Sequence, residues 1–140
     1  MPGERWIFPA DRPQLEAKAK PDGRVVLLSS LDALFLLRRN VTDYVGPHEA
    51  RREIRSEKLG AITRLMFNAI MRGGRLTGLW EYDPGMENIA WMSFTTKDKA
   101  MQQAVAATEA MIRDSLGDAR SFSLDGPKSR QPRIDWLRAQ

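Results

Sequence analysis

The sequence predicts an α+β fold: a small antiparallel β-meander or partial barrel packed against one long amphipathic helix, with shorter N-terminal helices. Two observations carry this prediction. Between residues 65 and 95, apolar segments alternate with glycine- and proline-containing turns, which is typical of consecutive antiparallel strands. From 98 to 116, apolar residues follow a 3–4 spacing that ends at Gly117, which is typical of an amphipathic helix. The 140 residues correspond to a single domain, 1–140.

The N-terminal part of the chain predicts short elements. Asp11 is placed to cap a helix, and Ser30 is placed to cap the apolar segment that follows it. We expect that segment to be buried because it is apolar nearly throughout. The predicted elements are an edge strand at 6–8, a helix at 11–20, a strand at 24–28 and the apolar segment at 31–37.

The segment 38–60 is rich in arginine and is broken by Gly46-Pro47. Within it, residues 49–58 contain good helix formers, and the only large apolar residues of 49–60 are Ile54 and Leu59. This composition predicts a solvated helix or an ordered loop that lies outside the core.

The meander has clear boundaries. Gly73-Gly74 is a hairpin turn signal because glycine adopts positive φ at little cost. Alternation along the following strand places Leu76, Gly78, Trp80 and Tyr82 on one face. The aromatic residues of adjacent strands, Trp80, Tyr82, Trp91 and Phe94, could stack nucleic-acid bases. We expect them to be core instead, with Tyr82 the most exposed because it lies next to the turn. The predicted strands are 65–72, 75–83 and 89–95.

The C-terminal part predicts one long helix and a loop. Thr96 is a candidate cap for the helix at 98–116, which we expect to pack on the meander. Two prolines and several basic residues predict a loop at 126–133. Trp136 and Leu137 are predicted to dock the tail onto the domain.

Composition excludes several classes of function. The chain has no cysteine and one histidine, His48, which excludes a disulfide framework, a thiolate metal site and a cysteine nucleophile. It contains no phosphate-binding glycine loop and no serine-nucleophile elbow. We therefore predict no metal or cofactor. The lack of cysteine, of a signal-like N-terminus and of a long apolar run predicts a cytoplasmic protein without membrane spans.

The charge pattern predicts a nucleic-acid partner. The net charge is +4, and residues 38–75 hold nine basic and four acidic groups. The tip of the 65–83 hairpin has the shape of a wing, a two-stranded ribbon that places basic side chains on phosphates. A merely solubilising basic surface is the alternative. The candidate contacts are Arg72 and Arg75 at the tip, Arg51, Arg52 and Arg55 beside it, and Lys128 and Arg130 from the tail.

Four pieces of the sequence, in this order, resemble the C-terminal part of the winged-helix DNA-binding family that includes interstrand-crosslink-repair DNA glycosylases. They are LLSSLD at 27–32, the Arg38-Arg39 pair, GRLTGLW at 74–80, and the tail at 121–134. The first piece departs from the family pattern at Ser30-Leu31, where proline and phenylalanine are more usual.

The resemblance implies a β-rich accessory domain that binds DNA, in a context of DNA repair. Family members are several hundred residues long, with tandem winged helices before this part and a catalytic Gln-x-Gln or Gln-x-Asp motif in their N-terminal portion. The motif has no counterpart here, so no glycosylase activity is expected of this chain alone. Two other functions stay open: a protein-interaction or structural domain that needs a winged-helix partner or self-associates, and a small-molecule pocket between the meander and the long helix.

Overall fold

A computed structural model describes residues 6–18, 22–37, 40–120 and 124–140. Within these ranges the α+β fold is confirmed: a four-stranded antiparallel sheet in the order β1-β4-β5-β6, a two-stranded β2-β3 ribbon, and helices. The strands are β1 (Val25–Leu28), β2 (Glu53–Ile54), β3 (Glu57–Lys58), β4 (Asn68–Arg72), β5 (Arg75–Asp83) and β6 (Asn88–Ser93). The α-helices are α1 (Arg12–Glu16), α2 (Ala33–Leu37), α3 (Lys99–Met111) and α4 (Pro127–Arg138).

The predicted meander is confirmed as β4-β5-β6, and the sheet is open, with β1 and β6 at its edges. Gly73 and Gly74 have φ of 55° and 78°, so both central residues of the β4–β5 turn are left-handed. A two-residue turn of this kind matches the twist of an antiparallel pair. It brings Arg72 directly opposite Arg75 in the sheet register.

A β-bulge changes which face Leu76 occupies. Ile70 pairs with Gly78 whereas Met71 pairs with Leu76, so Thr77 is one extra residue in β5. Leu76 therefore joins the cluster that contains Met71 and Leu79, and its predicted placement beside Trp80 and Tyr82 is wrong. A sequence alternation cannot reveal this shift because it assumes an uninterrupted strand.

The side chains between the sheet and α3 form one continuous cluster. Tyr82 is only 1% exposed, so its prediction as the most exposed aromatic is wrong. This cluster packs the sheet against α3. The cluster contains Ile70, Trp80, Tyr82, Ile89, Met101, Val105 and Ile112.

The opposite face of the sheet is covered by α4 and by residues 41–67. Of the two structures predicted for 49–58, a solvated helix or an ordered loop, the helix is wrong: the segment is a 3-10 turn, Glu49–Arg51, followed by the β2–β3 hairpin. Ile54 and Leu59 are buried in the main core, so the prediction that this segment lies outside the core is wrong. The segment packs on the core with few apolar residues because Ile54 and Leu59 anchor it there.

The loop predicted at 126–133 is a helix. Pro127 occupies the first turn of α4, where its missing N–H costs nothing, but Pro132 lies in the helix interior. The helix forms despite Pro132 because its inner face buries Ile134 and Leu137. The predicted docking of the tail is confirmed, since Leu137 is buried and the Trp136 ring lies 5.4 Å from that of Phe67.

The helix caps differ from the predicted ones. Asp98, not Thr96, caps α3, because its side chain accepts a hydrogen bond from the Met101 N–H. The π-helical turn Ile112–Leu116 follows α3 and ends at Gly117, whose φ is 70°. Asp32 accepts from Leu34 at the start of α2, while the Ser30 N–H bonds the Asn68 side chain.

The N-terminal segment is less buried than the sequence predicts. Residues 6–8 form no strand, and Asp11 makes no side-chain cap bond to α1. Within α2, Phe35 is buried whereas Leu36 and Leu37 are exposed. The Arg38-Arg39 pair and residues 121–123 of the tail motif lie outside the described residues. No helix in the described part of the chain is both long and apolar enough to cross a membrane.

Candidate nucleic-acid interface

One end of the sheet gathers basic side chains from four parts of the chain. There β1 begins, β4 ends, β5 begins and β6 ends, because Val25 pairs with Arg72, Arg72 with Arg75, and the Phe94 N–H with the Thr77 carbonyl. Asp98, at the start of α3, joins this end through Arg72. We call it the hairpin-end surface; its cations are Arg24, Arg51, Arg52, Arg72, Arg75, Lys97 and Lys99.

Arg75 lies against the 46–52 segment. A Cβ placed on Gly46 would lie 2.6 Å from Glu49 Oε2 and 4.0 Å from Arg75 Nη1, so both side chains approach the Gly46 backbone. Arg75 is exposed and has no ion-pair partner among the described residues. Arg75 therefore lies beside Gly46, at the start of the segment that carries Arg51 and Arg52.

Arg51 and Arg52 border a cavity of about 360 Å³ together with His48. Arg51 is exposed. Arg52 is half-buried because its guanidinium lies 5.3 Å from the centre of the Phe94 ring, and its Nη2 donates to the Phe94 carbonyl at 3.5 Å. This cation–π contact fixes the side chain at the edge of β6 without neutralising its charge.

Arg72 is held differently from Arg75. Its Nη1 and Nη2 donate to the two carboxylate oxygens of Asp98 at 2.6 and 2.8 Å. The Arg72 hydrogen bonds, followed by the bond from the Met101 N–H, hold the pKa of Asp98 well below its ordinary value. Arg72 was predicted to extend a free side chain from the tip; instead it joins β4 to the start of α3.

Arg130 cannot act as the predicted phosphate contact, because it is completely buried. Its Nη1 and Nη2 donate to the Asp118 carboxylate at 2.8 and 3.0 Å, and Nη1 also donates to the Ala119 carbonyl. Burial alone would raise the pKa of Asp118, but the hydrogen bonds from Arg130 and Arg120 outweigh it, and the pKa is lowered.

A second buried arginine of α4 completes this network. Arg133 Nε donates to Glu81 at 3.0 Å, and Arg133 Nη2 donates to Asp125. Ser129 donates to the other Asp125 oxygen at 2.8 Å. Glu81 and Asp125 are both fully buried, and the bond to Glu81 links α4 to the C-terminal half of β5.

Lys128 and Arg55 lie away from the hairpin-end surface. Lys128 is exposed on the same turn of α4 as Arg130. The partner of Arg130, Asp118, is separated from Asp98 by the combined length of α3 and the π-helical turn that follows it, roughly 25 Å. Arg55 lines a cavity with Phe67, which lies five residues before Arg72, or roughly 16 Å along extended chain. The predicted contacts therefore fall on separate surfaces.

Sequence reasoning missed Arg24, Lys97 and Lys99. Arg24 pairs with Asp22, and the Lys97 ammonium lies 5.0 Å from the centre of the Trp91 ring. Their only signal in the sequence is their position. Each lies next to the end of a strand or helix, and that end lies at the same edge of the sheet as the glycine turn. Lys97 and Lys99 flank Asp98, the cap of α3. Their closeness to the glycine turn can be recognised only after β6 and α3 have been placed in the fold.

His48 is exposed beside Glu49, with Nδ1 and Oε1 3.6 Å apart. No group of three histidine, aspartate or glutamate side chains suited to a metal ion occurs among the described residues. No family model, curated protein or solved structure matches the chain. The winged-helix resemblance therefore rests on the sequence motifs.

Proposed function

We propose that this chain binds duplex DNA through the hairpin-end surface, by contacts to phosphates. The observation that carries the proposal is the cluster of charge at one end of the sheet. Five cations there have no carboxylate partner among the described residues: Arg51, Arg52, Arg75, Lys97 and Lys99.

The chemistry of these side chains favours a backbone contact. Phosphates are the main hydrogen-bond acceptors in protein–DNA interfaces, and arginine matches them with two parallel N–H donors. Arg51 and Arg75 are exposed and can reach a phosphate, and Arg52 is pre-positioned on Phe94, so that Arg52 loses little conformational freedom on binding. The proposal includes a cytoplasmic setting and, through the sequence resemblance, a role in DNA repair.

Carboxylates at the hairpin-end surface reduce the number of cations that are available to phosphates. Asp22 and Asp98 already pair with Arg24 and Arg72. Glu49 lies beside His48 and, like Arg75, approaches the Gly46 backbone. We therefore assign the contacts to the five free cations and treat Arg72 as a positioning residue that fixes α3 against the hairpin.

Salt dependence tests this proposal. Five neutralised phosphates give a slope of about −4.5 in a plot of log affinity against log salt. Fluorescence anisotropy with two unrelated duplexes is expected to give this slope and nearly equal affinities, since phosphate contacts carry no sequence information. Absence of binding at ~50 mM salt, or binding that salt does not weaken, would remove the proposal.

A second candidate function is a protein-interaction domain. Its support is the segment 6–18, which is exposed throughout and includes Trp6 at 91%, Phe8 at 79% and Leu15 at 70% exposure. Contiguous exposed apolar residues mark interaction surfaces. Sedimentation analysis of the chain and of a Trp6→Ser, Phe8→Ser, Leu15→Ser variant tests self-association. Dimers that persist in the variant would contradict an interface built on this segment.

A further inference from the structure

A second cavity lies between the tip of the β2–β3 hairpin and the segment that leads into β4. Its volume is about 310 Å³, which holds roughly ten water-sized groups at about 30 Å³ each. This volume suits a small organic molecule. The lining residues are Ile54, Arg55, Ser56, Glu57, Ile62, Arg64, Met66 and Phe67.

The inner wall of the cavity is apolar and fixed. Ile54, Ile62 and Phe67 are all buried and belong to the main hydrophobic core. Their positions are set by core packing, and the edges that they expose, together with exposed Met66, form the apolar surface of the cavity. Ligand pockets combine such a wall with a few polar groups that determine orientation.

The polar groups of this cavity favour an anion. Arg55 and Arg64 are exposed, and neither has an ion-pair partner among the described residues. Guanidinium groups bind carboxylates with two parallel hydrogen bonds. Because Glu57 also lines the cavity, two positive charges face one negative charge, which favours a ligand with a single negative charge.

The backbone at Arg55 adds an independent observation. Arg55 has φ of 57°, a left-handed conformation that is uncommon for residues other than glycine. Glycine would adopt this conformation without strain. The two-residue β2–β3 turn holds this positive φ, since Ile54 pairs with Glu57 across it. An arginine at a position that glycine would occupy without strain supports a role for its side chain.

We propose that this cavity binds a small monocarboxylate with an apolar body. The carboxylate is bound by Arg55 and Arg64, and the apolar body packs on Ile54, Ile62 and Phe67. The site is separate from the hairpin-end surface, so it does not depend on DNA binding.

Calorimetry on the full chain tests the ligand chemistry. The probes are 3-phenylpropanoate and 3-phenylpropanamide, which have the same shape but differ in charge. We expect the acid to bind with a dissociation constant of about 1 mM or tighter, and the amide to bind at least about tenfold more weakly. Equal affinities for acid and amide, or no binding of the acid, would overturn the proposal.

Two variants test the residues. Arg55→Gly and Arg64→Met are each expected to weaken binding of 3-phenylpropanoate at least about tenfold. Arg55→Gly also relieves the left-handed strain, so its melting temperature is expected to stay the same or rise. The matched control is Lys58→Gln, on the same hairpin but not part of the lining, with affinity expected within about twofold of the wild type. Unchanged affinity in both arginine variants would assign the binding elsewhere and overturn the proposal.

Discussion

The arginines of α4 and those of the hairpin-end surface have the same chemistry but opposite environments. Arg130 and Arg133 are buried and bonded to carboxylates, whereas Arg51 and Arg75 are exposed and have no carboxylate partner among the described residues. A buried arginine contributes to stability through its ion pairs, because its removal leaves the partner carboxylate buried without a compensating charge. An exposed arginine contributes little to stability and remains available to a ligand. Surroundings, not residue type, separate structural arginines from binding arginines here.

Arg133→Ala is expected to have the largest effect on stability and therefore tests this comparison most directly. The substitution leaves the buried carboxylates of Glu81 and Asp125 without this partner, so we expect a loss of roughly 3–5 kcal/mol in the free energy of unfolding. Urea denaturation measures it. Arg51→Ala is the matched control, with an expected change below about 0.5 kcal/mol. Similar losses in the two variants would show that burial does not distinguish the two groups of arginines.

Asp118 carries the next largest effect. Asp118→Asn replaces the charged partner of buried Arg130, and we expect a loss of roughly 1.5–3 kcal/mol at neutral pH. The pKa of Asp118 is lowered in the folded chain, so its contribution is present above the ordinary pKa of 3.8 and is lost as the pH falls through the lower folded value.

Acid titration of stability checks the sign of this effect. The wild type is expected to lose stability below about pH 4 more steeply than Asp118→Asn, because the variant has no carboxyl group to protonate at this position. Parallel pH profiles would show that the Arg130 pair is not maintained by the charge of Asp118.

Asp98 gives one hairpin-end arginine, Arg72, a carboxylate partner like those of the α4 arginines, and it also caps α3. Asp98→Asn is expected to lower the melting temperature, by less than Asp118→Asn, because Asp98 is more exposed. The same variant frees Arg72 for a phosphate, so we expect the salt slope of duplex binding to steepen by about 0.9. A slope that becomes shallower would contradict the assignment of Arg72 as a neutralised positioning residue.

How far the sequence predicts the fold depends on whether the signal is local. The predicted strand 75–83 matches β5 because a glycine pair and Asp83-Pro84-Gly85 mark both of its ends. The amphipathic helix is predicted for the same reason, since its apolar spacing and Gly117 are local features. Helix α4 has two prolines and only a short apolar face, so local patterns favour a loop there.

The candidate site depends on pairings that are distant in sequence. Arg133 meets Glu81 across 52 residues, and Arg72 meets Asp98 across 26. Charge composition alone cannot distinguish these paired arginines from the exposed Arg51 and Arg75. The predicted set therefore included Arg130, which is buried, while omitting Lys97 and Lys99, which reach the hairpin end through the placement of β6 and α3.

The measurement that tests the central claim most directly is the salt dependence of duplex DNA binding in two charge-matched double variants. Arg51→Gln with Arg75→Gln removes two charges from the hairpin-end surface. Arg113→Gln with Lys128→Gln removes two exposed charges from regions beyond the C-terminal end of α3 and on the first turn of α4. The hairpin-end pair is expected to make the slope shallower by about two, with stability changed by less than about 0.5 kcal/mol, while the control pair keeps the wild-type slope. Equal slopes in the two variants would contradict the account, because affinity would then follow the net charge of the chain and not the hairpin-end surface.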